Sequence, residues 1–150
     1  MTTRISGGQH RGRSIKTPPF GGLRPTSERV RAAVFSIIGP DAVEGKRVLD
    51  LYAGTGALGI DALSRGAAWA DFVERDGRRC KAIRGILAQL AMEGDARVHS
   101  GQVKKVLHRL EGPYDLVFAD PPYESGELIS LLDDLESLNL VADEATIIFE

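Results

Sequence analysis

From residue 47 onward, short apolar runs alternate with amphipathic stretches, each pair closed by a turn residue, and few architectures accept that order. Strands are expected at 47–52, 70–74, 96–100, 114–119 and 145–150, with helices at 57–65, 77–93, 103–110 and 127–138. Gly66 and Gly94 stand where helix C-termini need a left-handed residue. The last helix carries Leu128, Leu131, Leu132, Leu135 and Leu138 at helical spacing, which reads as a core stripe. Repeated βα units of this length build a mostly parallel, twisted, Rossmann-like α/β sheet with right-handed crossovers and helices on both faces. Ligands of such sheets bind at the carboxyl ends of the strands, so the residues just after each strand carry the functional argument.

Upstream of that pattern the chain changes character. Residues 1–25 are rich in Gly, Pro and Arg and hold little that could fill a core. They read as a basic arm, or as a hairpin pairing Arg4-Ile5-Ser6 with Arg13-Ser14-Ile15, ahead of a single α/β domain at 26–150. A helix is expected to start near Thr26 or Ser27, with Val30, Val34, Ile37 and Ile38 on its apolar face and Arg29 and Arg31 on the other. Gly39-Pro40 ends it.

The net charge of −2 conceals an asymmetry: residues 1–31 sum to +6, whereas residues 111–150 hold eleven acids and no Lys or Arg. That polarity orients a protein in the field of a polyanion, basic end toward phosphate. Arg4, His10, Arg11, Arg13, Lys16 and Arg29 are the candidate contacts. One cysteine, Cys80, excludes an intramolecular disulfide, reads as a core-facing helix residue, and leaves no Cys/His cluster with zinc spacing. No metal is expected. With 43% hydrophobic and 27% charged residues and no long apolar run, the chain reads as cytoplasmic, monomeric and without membrane contact.

Strand one ends in Asp50-Leu51-Tyr52 and enters Gly54-Thr55-Gly56, with Gly59 completing G-x-G-x-x-G. The glycine spacing alone fits a dinucleotide. A pyrophosphate, however, would bring two negative charges beside Asp50, whereas S-adenosylmethionine presents an ammonium and a sulfonium there, so Asp50 favours the latter. Tyr52, Gly54, Thr55 and Gly56 are its candidate neighbours. Glu74, at the tip of strand two before Arg75, suits ribose hydroxyls of either cofactor. After strand three, Gln102 stands where an adenine-binding side chain would come.

Strand four ends in Asp120-Pro121-Pro122-Tyr123. An exocyclic amine on a nucleobase is a poor nucleophile because its lone pair is delocalised into the ring. To attack a methyl group it must be held with its N–H bonds aimed at acceptors. The Asp120 carboxylate and the Pro121 carbonyl supply two, the proline pair stiffens the loop, and Tyr123 can stack on the base. The transfer needs orientation more than acid–base work.

On these residues the chain is similar to the RsmD family of bacterial 16S ribosomal RNA guanine-N2 methyltransferases. Gly7-Gly8, Arg11-Gly12-Arg13, Arg24-Pro25-Thr26 and the stretch from Glu28 to Phe35 resemble the family's N-terminal signature; the motifs at Asp50, Glu74 and Asp120 follow in the family's order. The resemblance implies a class I methyltransferase fold and S-adenosyl-L-methionine as cofactor. It also implies methylation of one guanine N2 in 16S RNA of the small ribosomal subunit or its precursor. Arg24 and Thr26 resemble residues that approach the methionine carboxylate, and the basic arm would hold RNA phosphate. Members usually continue with another helix and a β-hairpin after the fifth strand, so this chain is expected to be C-terminally incomplete. The alternatives are a DNA adenine-N6 methyltransferase, which shares D-P-P-Y, and a non-catalytic RNA-binding module on the same fold. A nicotinamide oxidoreductase fits the glycines but neither Asp50 nor D-P-P-Y.

Overall fold

A computed structural model of the chain describes residues 2–17, 25–121 and 126–150. Its centre is a five-stranded sheet built from β3 (Arg47–Leu51), β4 (Trp69–Glu74), β5 (Ala96–Ser100), β6 (Tyr114–Ala119) and β7 (Val141–Phe149), in the order β5-β4-β3-β6-β7. Every pairing is parallel. The chain leaves β3 toward β4 on one side and returns to β6 on the other, so the direction of strand addition reverses between β3 and β6. A crevice at the carboxyl ends of such a pair is where α/β sheets of this kind take ligands.

Helices cover both faces, as the alternation predicts. Val48, Phe72, Leu116 and Phe118 point to the face packed by α1 (Glu28–Ile38), α2 (Ala57–Ser64) and α3 (Gly77–Gln89), where Cys80 is fully buried. Leu49, Leu51, Val73 and Val117 point to the other face, packed by α4 (Val103–Val106) and α5 (Glu127–Ser137). The two-residue alternation along each strand divides the core this way.

A separate antiparallel hairpin precedes the sheet, β1 (Thr2–Arg4) with β2 (Ser14–Lys16), in the register Arg4↔Ser14. Ile5 and Ile15 are fully buried in the core with Phe35 and Ile60, so the reading that the first 25 residues hold little to fill a core is corrected there. Asp61 and Ser64 of α2 hold the hairpin: Ser6 donates to Asp61 from its N–H (2.7 Å) and its hydroxyl (3.0 Å), and the Ser64 hydroxyl donates to the Gly7 carbonyl (2.7 Å).

Helix α1 starts as expected, with the Ser27 hydroxyl accepting from the Val30 N–H. Its faces differ from the expectation. Arg31 is fully buried beside Phe35, whereas Val30 and Ile37 are 47% and 83% exposed. The guanidinium finds a carboxylate and backbone carbonyls under the helix, and these partners turn the buried stripe toward Arg31. On α5 the core stripe is likewise narrower than expected: Leu131 and Leu135 are buried, and Leu128 and Leu132 are exposed. Helix α3 ends at Gln89, and Ala91 rather than Gly94 takes the left-handed turn after it, with φ +56°. Gly66, at φ +102°, fills the role expected of it after α2. Among the described residues no helix is long and apolar enough to cross a membrane.

Candidate active site

Asp50 is the third-last residue expected of strand one, and stands in register with Phe72 on β4 and Phe118 on β6. Only 3% of it is exposed, and Oδ2 accepts the Gly59 N–H of α2 at 3.0 Å. Burial, with smaller contributions from Glu74 and Glu150, raises its pKa to about 8 although the Gly59 bond opposes the shift. A buried carboxyl of this kind is held short of ionisation until a positive partner arrives.

The glycine turn has a steric reason at each end. Gly56 caps α2 with φ +77°, a backbone conformation glycine adopts without penalty. A Cβ on Gly59 would lie 2.3 Å from the Phe72 ring and 3.1 Å from Asp50 Oδ2, so α2 touches the sheet through a missing side chain. Thr55 is buried, its hydroxyl accepting from the Ala57 N–H at 3.3 Å. Tyr52 leaves β3 with φ +56°, rare for a residue with a side chain, and its hydroxyl donates to Glu127 at 3.3 Å. Strained backbone of this kind gathers at ligand sites.

Glu74 ends β4 and is 6% exposed. Its Oε1 accepts from the Gly54 N–H (2.9 Å) and its Oε2 from the Asp76 N–H (2.7 Å), so it ties the tip of β4 to the glycine turn. One accepted bond per oxygen leaves further lone pairs for a diol. Arg75 and Gln102, both exposed, line the same groove as Tyr52, Gly54, Glu74 and Asp120. A second, adjoining cleft is lined by Thr26, Asp50, Gly54, Thr55, Asp120 and Glu150. Tyr52, Gly54 and Asp120 border both, so the two form one trough across the β3/β6 reversal.

Asp120 follows β6 and is exposed at the trough; the desolvation it does suffer, and then the Glu150 carboxylate, raise its pKa. Pro121 is half-buried next to it. Tyr123 and Arg24 lie outside the described residues. Thr26 is in the cleft, but its hydroxyl is engaged with Glu150, 2.9 Å from each carboxylate oxygen. Glu150 itself was not among the expected site residues. The signal was available: an acid two residues beyond the core-facing Ile148 repeats the placement of Asp120 beyond Phe118.

The basic residues of the N-terminal region stand apart from this trough. Arg4, Arg11, Arg13 and Lys16 are exposed on the hairpin, and Arg29 is exposed on α1. His10 is half-buried: its N–H donates to the Ser64 hydroxyl at 2.9 Å, and its ring Nδ1 lies 3.0 Å from Arg13 Nη1. Among the described residues no group of three or more His, Cys, Asp or Glu is placed to hold a metal.

The donor set decides between the two ligands that the glycines allow. One end of the trough holds the Asp50 and Asp120 carboxyl groups beside the glycine turn, a setting that would repel a pyrophosphate and favour a cationic group. The other end offers a strand-tip carboxylate with spare lone pairs. These residues fit an elongated ligand with a cationic end and a nucleoside end.

Comparison with known proteins places the chain in a family. A family model described as Conserved hypothetical protein 95 matches residues 3–150. The Ribosomal RNA small subunit methyltransferase D of Escherichia coli K12 is 42% identical over 147 residues, covering 98% of this chain and 73% of its own. Its namesake in Haemophilus influenzae is 33% identical over 135 residues, covering 86% and 69%. Among solved structures, yhhF of Escherichia coli, assigned as a methyltransferase, superposes with a TM-score of 0.89 at 40% identity, covering 99% of this chain and 80% of its own. The parallel sheet, the trough at its strand reversal and these likenesses converge: the chain belongs to the RsmD family of methyltransferases.

Proposed function

We propose that the protein transfers a methyl group from S-adenosyl-L-methionine to the N2 amine of a guanine in 16S ribosomal RNA of the small subunit or its precursor, acting as a cytoplasmic monomer. The observation that carries the reading is Asp120, with Pro121 next in the chain, opening onto the same trough as Asp50 and Gly54, across the β3/β6 reversal. The relatives' own names, as small-subunit ribosomal RNA methyltransferases, supply the substrate class.

Asp50, Thr26 and the Gly54–Gly56 turn would hold the methionine end of the cofactor, and Glu74 and Gln102 its nucleoside end. Bound there, the cofactor supplies an electrophilic methyl carried on a sulfonium, which departs as a neutral thioether. The protein's own work is then at the acceptor. The Asp120 carboxylate and the Pro121 carbonyl take the two N–H bonds of the amine, which frees its lone pair from the ring and aims it. Methylation leaves the nitrogen with one proton too many, and Asp120, with its pKa raised, is the acceptor beside it. Exposed Arg11, Arg13 and their neighbours on the hairpin hold RNA phosphate.

The test pairs calorimetry with nucleoside mass spectrometry. The wild-type protein is expected to bind S-adenosylmethionine and its demethylated product and to form N2-methylguanosine on unmethylated small subunits. Asp120→Ala is expected to lose methylation while keeping RNA binding. Methyl on adenine, or an Asp120→Ala variant with full biological effect, overturns the reading.

A further inference from the structure

Asp120-Pro121 explains how an amine is held, but an amine-holding motif of this kind does not tell guanine from adenine. The discriminating atom is N1, which carries a proton in guanine and a lone pair in adenine. A site that selects guanine therefore needs an acceptor one position along the base edge from the acceptor that holds N2. Among the described residues, the carboxylate beside Asp120 on the neighbouring strand is so placed.

Glu150 follows β7, the parallel neighbour of β6, in the register Phe118↔Ile148 and Ala119↔Phe149. Its N–H donates to the Ala119 carbonyl at 3.1 Å, which continues the pairing past the last strand residue. Side chains alternate, so Asp120 and Glu150, each two residues beyond a core-facing side chain, emerge side by side on the same face. Both line the cleft that also holds Asp50 and Thr26. The Thr26 hydroxyl lies 2.9 Å from both Glu150 oxygens and fixes the carboxylate from the α1 side. A carboxylate accepts about four hydrogen bonds, so one hydroxyl leaves it free to accept another donor. Nothing cationic pairs with it among the described residues' salt bridges.

We propose that Glu150 is the residue that selects guanine, its carboxylate accepting the N1–H of the base whose N2 amine Asp120 holds. Two carboxylates side by side match two adjacent donors on one edge of guanine. Against adenine, the same carboxylate faces the N1 lone pair, and the mismatch rejects the base. Thr26 acts as a positioning residue for Glu150. The proposal rests on the function proposed above and names how its substrate is chosen.

The test replaces the target guanosine, mapped first with the wild-type enzyme, by 2-aminopurine riboside in small subunits rebuilt with ligated RNA. That base keeps the N2 amine but presents a lone pair at N1. Wild-type enzyme is expected to prefer guanosine, with Glu150 contributing roughly 10- to 100-fold in kcat/KM, the range of one hydrogen bond to a charged group. Glu150→Ala is expected to lose that factor on guanosine and to narrow the preference. Glu150→Gln, whose amide can donate to N1, is expected to shift it further toward 2-aminopurine. Affinity for the demethylated cofactor product, read by calorimetry, is expected to stay at the wild-type value in both variants. Equal wild-type rates on the two substrates overturn the proposal, and so does an undiminished preference in Glu150→Ala. Loss of cofactor-product binding in the variants overturns it too, because it would seat Glu150 in the cofactor site. A wild-type enzyme that forms no N2-methylguanosine on the guanosine subunits overturns the function reading and this proposal together.

Discussion

Arg31 Nε lies 2.6 Å from Asp61 Oδ2 with neither side chain more than 1% exposed, so an ion pair joins α1 to α2 beneath the N-terminal hairpin. The same guanidinium donates to the carbonyls of Thr26 and Arg4 and to the Thr3 hydroxyl, and the same carboxylate accepts from Ser6. The pair therefore fixes three things at once: the hairpin, the start of α1, and through Thr26 one wall of the cleft. Removing one partner of a buried pair strands the other, at a typical cost of about 3–5 kcal/mol. Asp61→Asn is expected to lose stability of that order, read as a fall in the denaturation midpoint. The amides of residues 3–6 are expected to exchange faster. A variant with wild-type stability would show that Ile5, Ile15 and the Ser64 hydrogen bonds hold the hairpin without the ion pair.

The fold was legible because its signals are local. Apolar runs, glycine stops and helical spacing mark β3 through β7 and the helices between them without reference to distant partners. The acids at strand ends were legible for a related reason, since a parallel sheet converts "after a strand" into "at the site". What escaped was set by partners remote in sequence. Arg31 reads as a solvent-facing charge until Asp61, thirty residues on, is placed beneath it. Val30 and Ile37 read as core for the same reason, because periodicity names a face without saying which of two adjacent stripes is buried. Ile5 and Ile15 stand alone among Gly and Arg, and only the hairpin register brings them together.

Gly59 carries a sharper prediction than the other glycines of its motif. Its missing Cβ is occupied by the Phe72 ring at 2.3 Å, inside a packed core where the ring has no room to retreat. Gly59→Ala is expected to cost about 1–3 kcal/mol, as overpacked core substitutions do. It is also expected to weaken cofactor binding, because the same methyl group presses on Asp50 Oδ2, 3.1 Å away. Chemical denaturation and calorimetry check the two effects separately, and an unchanged midpoint would contradict the packing argument.

Under the proposed function, the exposed cations of the hairpin are expected to make the RNA affinity salt-dependent. Each phosphate contact that Arg4, Arg11, Arg13 or Lys16 makes on single-stranded RNA is expected to add about 0.7 to the slope of log K against log salt. Replacing Arg11 and Arg13 together by Gln is expected to flatten that slope by about 1.4 while leaving cofactor affinity unchanged. Filter binding over a series of salt concentrations measures it. An unaltered slope would place the RNA on another surface.

Under the proposed function, Asp50 is expected to couple cofactor binding to pH. Its carboxyl titrates near 8 in the folded protein against 3.8 ordinarily, so between those values the native state holds a proton that the unfolded chain has lost. The stabilising contribution of that proton is complete below about 3.8 and is lost as pH rises through about 8. A cationic ligand end reverses the preference, since it favours the carboxylate. Binding of S-adenosylmethionine below pH 8 is therefore expected to expel a proton from Asp50. Affinity should rise with pH by up to about tenfold per unit and level off above pH 8. Calorimetry at pH 7 in buffers of different ionisation enthalpy counts the released proton directly. Asp50→Asn, which cannot ionise, is expected to bind more weakly at high pH and to release no proton. Proton release that survives in Asp50→Asn would assign the titration to another group.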